Sequence, residues 1–149
     1  MDLTGRYELD RERSDSLYNH MKTLGCDEIA ALASEKLHIT IDMVQTKSEL
    51  SIWQASQLGD SKRVLYLEPG RETTESDSRK ATVVFGAKNI VIETLFSRGK
   101  LVDTRHFEQD GQVLAQVLEL TVKEAPQAVI RTRRYLKKIG PPDPAVIST

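Results

Sequence analysis

From residue 37 to residue 138 the sequence is a series of short segments with the composition of β-strands, and turn-forming residues separate each segment from the next. The turns include Gly59-Asp60, Pro69-Gly70 and Asp110-Gly111, dipeptides that are typical of tight connections. Because most connections have hairpin length, neighbouring strands are expected to run antiparallel. The predicted strands are Leu37–Met43, Leu50–Gln54, Arg63–Leu67, Arg71–Glu75, Lys80–Phe85, Asn89–Phe96, Leu101–Glu108, Val113–Val122 and Ala128–Lys138.

The first part of the chain has a different pattern. Apolar and polar residues alternate over Leu3–Leu9, which predicts one further strand. A helical repeat follows, with Ser14 as its expected N-cap, Leu17 and Met21 on its apolar face, and Gly25 as the residue that ends it. The chain therefore begins with a strand and then a short helix.

A second short helix is predicted to begin at Asp27, as its N-cap, and to carry Ile29 and Leu32 on one face. An open sheet of ten antiparallel strands would expose its edges and a whole apolar face, whereas closure into a barrel avoids both. The predicted fold is an all-β, ten-stranded antiparallel up-and-down barrel with a two-helix lid. We expect the barrel domain at 1–139 and a proline-rich tail, extended or disordered, at 140–149.

A barrel of this width is expected to enclose a large cavity, and the strand patterns indicate that the cavity is polar in places. Strand alternation puts several polar or charged residues together on faces that are expected to point inward, and a solid apolar core would not tolerate so many of them. These residues are Glu72 with Thr74, Asp103 with Arg105, and Arg131 with Arg133 and Tyr135.

Charge and composition exclude several classes of function. Lys and Arg number 21 against 22 Asp and Glu, so the chain lacks the positive charge that nucleic-acid binding requires. The single cysteine cannot form an intrachain disulfide, and the three histidines are too far apart in sequence for a metal motif, so no metal or organic cofactor is expected. The N-terminus has no signal-peptide pattern, which favours a cytoplasmic protein. We expect a monomer with at most transient membrane contact.

Five stretches of the sequence are similar to those of one protein family. They are Leu3–Leu9 (LTGRYEL), Ser14–Cys26 (SDSLYNHMKTLGC), Glu72–Lys80 (ETTESDSRK), Arg105–Gly111 (RHFEQDG) and Arg131–Lys137 (RTRRYLK). In this order and spacing, the sequence resembles the intracellular lipid-binding proteins, the family of cytosolic fatty-acid-binding and cellular retinoid-binding proteins with a lipocalin-like or calycin-like barrel. The hairpin at Lys123–Gln127 and the proline-rich tail are longer than the family pattern.

The resemblance implies a binding site inside the barrel. Arg105, Arg133 and Tyr135 match the family residues that hold a ligand carboxylate, and Leu17, Met21 and Thr74 are expected to line the ligand as well. A register slip of one residue would instead turn His106 inward in place of Arg105. Acidic side chains such as Asp103, Glu72 or Glu93 are alternative partners for the arginines.

The function that follows is non-covalent carriage of one long-chain hydrophobic carboxylate, most simply a fatty acid. Each buried methylene contributes about 0.8 kcal/mol, so a long chain can offset the cost of burying its head group. The alternatives are a carrier of another hydrophobic ligand such as a retinoid, an enzyme built on the same barrel, or a ligand-gated module that binds a protein. No G-x-S-x-G motif or other catalytic constellation is present, so no catalytic residue is assigned.

Overall fold

The computed structural model describes residues 1–148 and shows ten antiparallel strands in one sheet. Neighbouring strands of the sheet have the order β4-β3-β2-β1-β10-β9-β8-β7-β6-β5. The first and last strands of the chain, β1 and β10, therefore pair in the middle of the sheet, which curls into a barrel. The strands are β1 Gly5–Leu9, β2 Thr40–Gln45, β3 Glu49–Ser56, β4 Gly59–Tyr66, β5 Thr73–Ser76, β6 Arg79–Phe85, β7 Ile90–Phe96, β8 Gly99–Glu108, β9 Val113–Val122 and β10 Ala125–Gly140; the helices are α1 Tyr18–Thr23, α2 Glu28–Ala33 and α3 Pro144–Ile147.

Side chains close the barrel at the two strands that end the sheet order, β4 and β5. The guanidinium of Arg63 in β4 donates two hydrogen bonds to the Glu75 carboxylate in β5, with lengths of 2.8 and 2.6 Å. The backbone N–H of Tyr66 donates to Oγ1 of Thr73 at 2.8 Å. Burial alone would raise the pKa of Glu75, but the hydrogen bonds and charge of Arg63, with the charge of Arg79, hold it below its ordinary value. Glu75 therefore stays ionised and keeps this seam together.

The predicted fold class is confirmed: ten antiparallel strands form the barrel, and two short helices lie between the first two strands. β9 has the predicted bounds, and most other strands differ by one to a few residues. β10 is the exception, because it begins at Ala125 and continues to Gly140, beyond both predicted ends. In residues 1–148 no helix has the length and apolar character needed to cross a membrane.

Large apolar side chains fill much of the barrel interior. They belong to residues from nearly every strand, and the largest are fully buried. The Tyr7 hydroxyl reaches the carbonyl of Leu3 at 3.0 Å, and burial raises the pKa of Tyr7 to about 12. Close packing of this kind leaves no room for a ligand. The side chains that form this plug include Leu3, Tyr7, Met43, Leu50, Leu65, Ile90 and Leu114.

The end of α1 and the start of α2 were predicted correctly. Gly25 follows α1 with a φ of +87°, a conformation that glycine adopts without strain. The side chain of Asp27 accepts a hydrogen bond from the backbone N–H of Ala30 at 2.7 Å and caps α2. The apolar face of α2 differs from the prediction, because Ala31 is buried whereas Ile29 and Leu32 are exposed.

The predicted start of α1 at Ser14 is wrong. The segment after β1 makes a turn at residues 11–13 and lies beside β10, where the backbone N–H of Asp10 donates to the carbonyl of Tyr135 at 2.8 Å. Ser14 belongs to this segment, and its Oγ accepts from the backbone N–H of Tyr135 at 2.9 Å. The helix begins only at Tyr18 because Ser14 and Asp15 use their hydrogen-bonding groups in contacts with β10 and in the preceding turn.

The C-terminal tail is ordered on the outer surface of the barrel, so the expectation that it is extended or disordered is wrong for its described residues. The backbone N–H of Asp143 donates to Oδ1 of Asp42 at 3.0 Å, and Arg6 Nη1 lies 3.1 Å from the Asp143 carboxylate and 3.3 Å from that of Asp42. Asp143 also caps α3. The last residue of the tail, Thr149, lies outside the described residues.

Candidate ligand-binding site

A polar cavity of about 220 Å³ lies between the apolar plug and the lid. A second space of about 160 Å³ lies directly under α1 and has the mainly apolar wall formed by Leu24, Phe96, Leu101 and Leu120. Each is smaller than the roughly 300 to 1,000 Å³ of ordinary small-molecule sites. The large cavity predicted from ten strands is therefore reduced, because large side chains occupy much of the barrel interior. The polar cavity is lined by His20, Ile52, Gln54, Ser61, Arg63, Arg79, Leu101, Asp103, Arg105, Gln116, Leu118 and Arg134.

Arg105 is buried in the wall of the polar cavity and has a complete set of partners. Its Nε and Nη2 donate to the two oxygens of Asp103 at 3.1 and 2.9 Å, and its Nη1 lies 3.2 Å from Sδ of Met43. Gln116 Nε2 donates to the same Asp103 carboxylate at 3.0 Å. Arg105 and Asp103 carry opposite charges and neutralise each other.

Arg134 is also buried, but it has no such partner. Its side chain is 7% exposed, and neither Nε nor Nη2 has a hydrogen-bond acceptor. Burial, and to a smaller extent the nearby charge of Arg105, lower the pKa of Arg134 to about 10, although the charge of Asp103 opposes the change. At neutral pH the guanidinium is still charged. Arg134 therefore presents an unneutralised cation to the cavity.

The buried charges of the site do not balance. Arg63 pairs with Glu75, Arg105 pairs with Asp103, and Arg134 remains. Arg79 reaches the Glu75 carboxylate only at 3.6 Å, and its side chain is 45% exposed, so water stabilises much of its charge. The interior thus has one excess positive charge, located at Arg134, and a single anion would neutralise it.

The lid contributes a second polar group without a partner. His20 of α1 is 9% exposed and lines both the polar cavity and the space under the helix. Its Nδ1 is buried and has no hydrogen-bond partner. Burial lowers the pKa of His20, and the charge of Arg134 lowers it further. His20 is therefore neutral at physiological pH in the ligand-free site.

An open groove of about 500 Å³ lies on the outside, where the segment between β1 and α1 crosses the mouth of the barrel. Its wall includes Leu17 and Ser34, and Arg134 lines this groove as well as the inner cavity. Arg134 consequently stands between the outer surface and the interior.

Arg105 faces the cavity as predicted, which excludes the alternative register with His106 inward: the His106 side chain is 45% exposed. The predictions for Arg133 and Tyr135 are wrong, because both side chains point outward. The backbone N–H of Arg133 donates to the Asp15 carboxylate at 2.8 Å, and the Tyr135 ring lies 4.0 Å from the guanidinium carbon of Arg13.

The reason for the error is the register of β10 against β9. Arg134 pairs with Gln116, which is on the inner face of β9, so the inward residues of β10 are Thr132, Arg134 and Leu136. A charge count could have found this face. From residue 131 to residue 138 it carries one arginine and one lysine beside a threonine and a leucine, whereas the opposite face has two arginines, a lysine and a tyrosine, which are more costly to bury.

The expected inward position of Glu72 and Thr74 is also wrong. Both are exposed, and Glu72 pairs with Lys80 on the surface at 3.5 Å. Their neighbours Thr73 and Glu75 face inward instead, since Thr73 pairs with the buried Ala81.

On the lid, Leu17 packs against the core and Met21 is partly buried. Ligand contact by these two residues stays a prediction. His20 and Arg63 line the site but were not predicted as site residues. Strand alternation carried a signal for Arg63, because it shares a face with the apolar Leu65 and Leu67.

Comparison with known proteins supports the fold. No protein-family model and no curated protein matches the sequence. Among solved structures, fatty-acid-binding protein 1 of Echinococcus granulosus is similar with a TM-score of 0.75 and 13% identity, over 93% of this chain and 98% of that one. Human cRBP IV has a TM-score of 0.72 and 17% identity, over 93% and 99%. The Schistosoma mansoni fatty acid binding protein in complex with arachidonic acid has a TM-score of 0.72 and 14% identity, over 92% and 96%. The chain therefore has the barrel fold of these binding proteins, as its sequence resemblance implied.

Proposed function

We propose that this protein binds a hydrophobic monocarboxylate, most simply a fatty acid, non-covalently inside the barrel, and that Arg134 holds the carboxylate. The proposal also includes that the protein is a monomeric carrier, that it works in the cytoplasm and that it has no catalytic activity. The structural neighbours support it, since they include fatty-acid-binding proteins and a fatty acid transporter.

The observation that carries the proposal is the unpaired guanidinium of Arg134. A buried charge without a partner is strongly unfavourable, and arginine cannot escape the cost by losing its proton at neutral pH. Since Asp103 and Glu75 already have arginine partners and no ion pair of the described residues includes Arg134, a ligand can supply the compensating charge. A carboxylate carries one negative charge and accepts the hydrogen bonds that Nε and Nη2 offer.

The ligand chain extends toward the lid in this arrangement. The apolar plug blocks the opposite direction, whereas Leu101, Leu118 and Leu120 lead from the polar cavity to the space under α1. This enclosed space is small, so a long chain has to displace the lid or emerge at the barrel mouth. The affinity for fatty acids of 8 to about 18 carbons measures how long a chain the enclosed space can hold. The affinity should rise with each added methylene while the chain is enclosed and level off for longer chains.

A retinoid alcohol fits the site less well than an acid. Its hydroxyl has no charge to neutralise Arg134, so the guanidinium would stay uncompensated in the complex. The discriminating comparison is decanoate against 1-decanol, which have the same chain and differ in the charge of the head group.

The test uses two neighbouring arginines of β10. Arg134→Gln removes the buried charge, and Arg133→Gln removes an exposed one and serves as the matched control. Loss of a buried charge-assisted contact costs about 2 to 5 kcal/mol, so Arg134→Gln should weaken decanoate at least tenfold in titration calorimetry and leave 1-decanol nearly unchanged. Equal losses in the two variants, or equal binding of acid and alcohol to the unmodified protein, would refute the proposal.

A further inference from the structure

His20 lies on the cavity side of α1 and is the one histidine of three whose side chain is buried. His38 and His106 have side chains that are 61% and 45% exposed. The His20 Nδ1 atom is enclosed without a hydrogen-bond partner, although a buried imidazole nitrogen ordinarily has one. His20 therefore has an unused hydrogen-bonding position at the ceiling of the cavity.

The groups that share the cavity with His20 come from several strands, and they do not supply that partner. Asp103 and Glu75 are held by Arg105 and Arg63, so neither carboxylate is free for the imidazole. Arg134 is the charged residue whose field acts on His20, and neither its Nε nor its Nη2 donates to the imidazole. The other residues that line the space under α1 with His20 are Arg79, Leu24, Thr94, Phe96, Leu101 and Leu120, and Gln116 of the polar cavity has an unpaired Oε1.

Besides the acceptor Oε1 of Gln116, two side chains from different elements that line one cavity have buried nitrogen atoms without a partner. Arg134 offers donors from the wall, and His20 offers Nδ1 from the lid, which is a donor when the imidazole is protonated. A carboxylate has two oxygens and can accept from both residues at once. One bound anion would satisfy the unpaired atoms of both side chains.

We propose that His20 contacts the carboxylate of the ligand together with Arg134, so that the lid itself supplies part of the anion site and binding is accompanied by uptake of a proton on His20. This inference rests on the proposed function. It goes further in making ligand recognition depend on the position of α1 and on pH.

The sign of the pH effect follows from the charges around His20. In the free protein, burial and Arg134 disfavour the imidazolium and keep the pKa of His20 below its ordinary value. A bound carboxylate cancels the field of Arg134 and pairs with the imidazolium, which raises that pKa. By linkage, the ligand binds more tightly as the pH falls from about 8 to about 5.5, and it is released more readily as the pH rises.

The experiment measures decanoate binding by calorimetry at several pH values, in two buffers with different enthalpies of ionisation. We expect the unmodified protein to take up a fraction of a proton near pH 6.5 and to gain about fivefold or more in affinity between pH 8 and pH 5.5. His20→Gln should abolish both effects and still bind decanoate through Arg134. The matched controls, His38→Gln and His106→Gln, should retain them.

A second measurement needs no substitution. NMR titration of the three imidazoles should show His20 titrating at a higher pH with decanoate than without it, while His38 and His106 are unchanged. If decanoate binds in an Arg134-dependent way but His20 shows no shift, or His20→Gln keeps the proton uptake, the inference is wrong and the proposed function stands. If decanoate binds independently of Arg134, the proposed function fails and this inference fails with it.

Discussion

The interior contains arginines in two different electrostatic situations. Arg105 and Arg63 each make two charge-assisted hydrogen bonds to a carboxylate, whereas Arg134 has no acceptor for Nε or Nη2. The paired arginines hold the wall of the cavity together, because each pair is satisfied without a ligand. The unpaired one weakens the free protein and, under the proposed function, strengthens the complex. Under that proposal a single residue links stability to ligand binding.

Removal of one carboxylate should convert Arg105 into a second unpaired cation. Asp103→Asn breaks a buried pair, so the free energy of unfolding in urea should fall by about 3 to 5 kcal/mol. Decanoate at saturation should restore more stability to this variant than to the unmodified protein, because its carboxylate then compensates two guanidiniums.

The control for this prediction is Glu119→Gln in the neighbouring strand. Glu119 pairs with Arg131 at 2.9 Å on the outer surface, where such a pair contributes about 0 to 1 kcal/mol. A similar loss in both variants, or no added effect of decanoate on Asp103→Asn, would show that the Arg105 charge does not act on the site.

At the scale of secondary-structure elements, the lid is fastened at both ends. The segment before α1 pairs with β10 through the backbone of Asp10 and Asp15. At the other end, Arg98, in the turn between β7 and β8, donates from Nη1 to the carbonyl of Leu24 at 2.7 Å and from Nη2 to that of Thr23 at 3.4 Å. These contacts hold α1, and with it His20, over the cavity.

Loss of the Arg98 contacts should loosen the lid and speed up ligand exchange. A hydrogen bond contributes about 0.5 to 1.5 kcal/mol, so Arg98→Ala should raise the rate of decanoate release about threefold to tenfold in stopped-flow measurements. Glu124→Gln is the control, because it removes the Arg98–Glu124 ion pair and leaves the bonds to α1. An unchanged release rate in Arg98→Ala would mean that the ligand leaves by another route.

At the scale of the whole molecule, stability and binding are separated in space. The apolar plug supplies the packed core at one end, and the charged cavity and the lid occupy the other. The tail after β10 contributes to stability and not to binding, because it lies on the outer face of the barrel over β2. Asp42 is only 3% exposed and depends on Asp143 and Arg6 for its hydrogen bonds.

Deletion of residues 142–149 should therefore reduce stability without changing the affinity for the ligand. Asp42 loses a buried hydrogen bond, which costs about 1 to 3 kcal/mol. The single tryptophan, Trp53, lines a space with Ala145 and Val146 under the tail, so its fluorescence should shift to longer wavelength in the shortened protein. A large change in decanoate affinity would contradict this division. Asp143→Ala should reproduce part of the stability loss.

The sequence by itself determined the local features of this protein: ten strands, two short helices, the cap at Asp27 and the stop at Gly25. Each depends on neighbours along the chain, through period-two alternation or the backbone freedom of one glycine. Alternation divides β10 into two faces but does not say which one points inward. Pairing with β9 decided that Arg134, and not Arg133, faces the cavity. Only the tertiary structure showed that Arg134 and His20 lack partners. The side chains that surround a buried group are distant from it in sequence and come together only on folding.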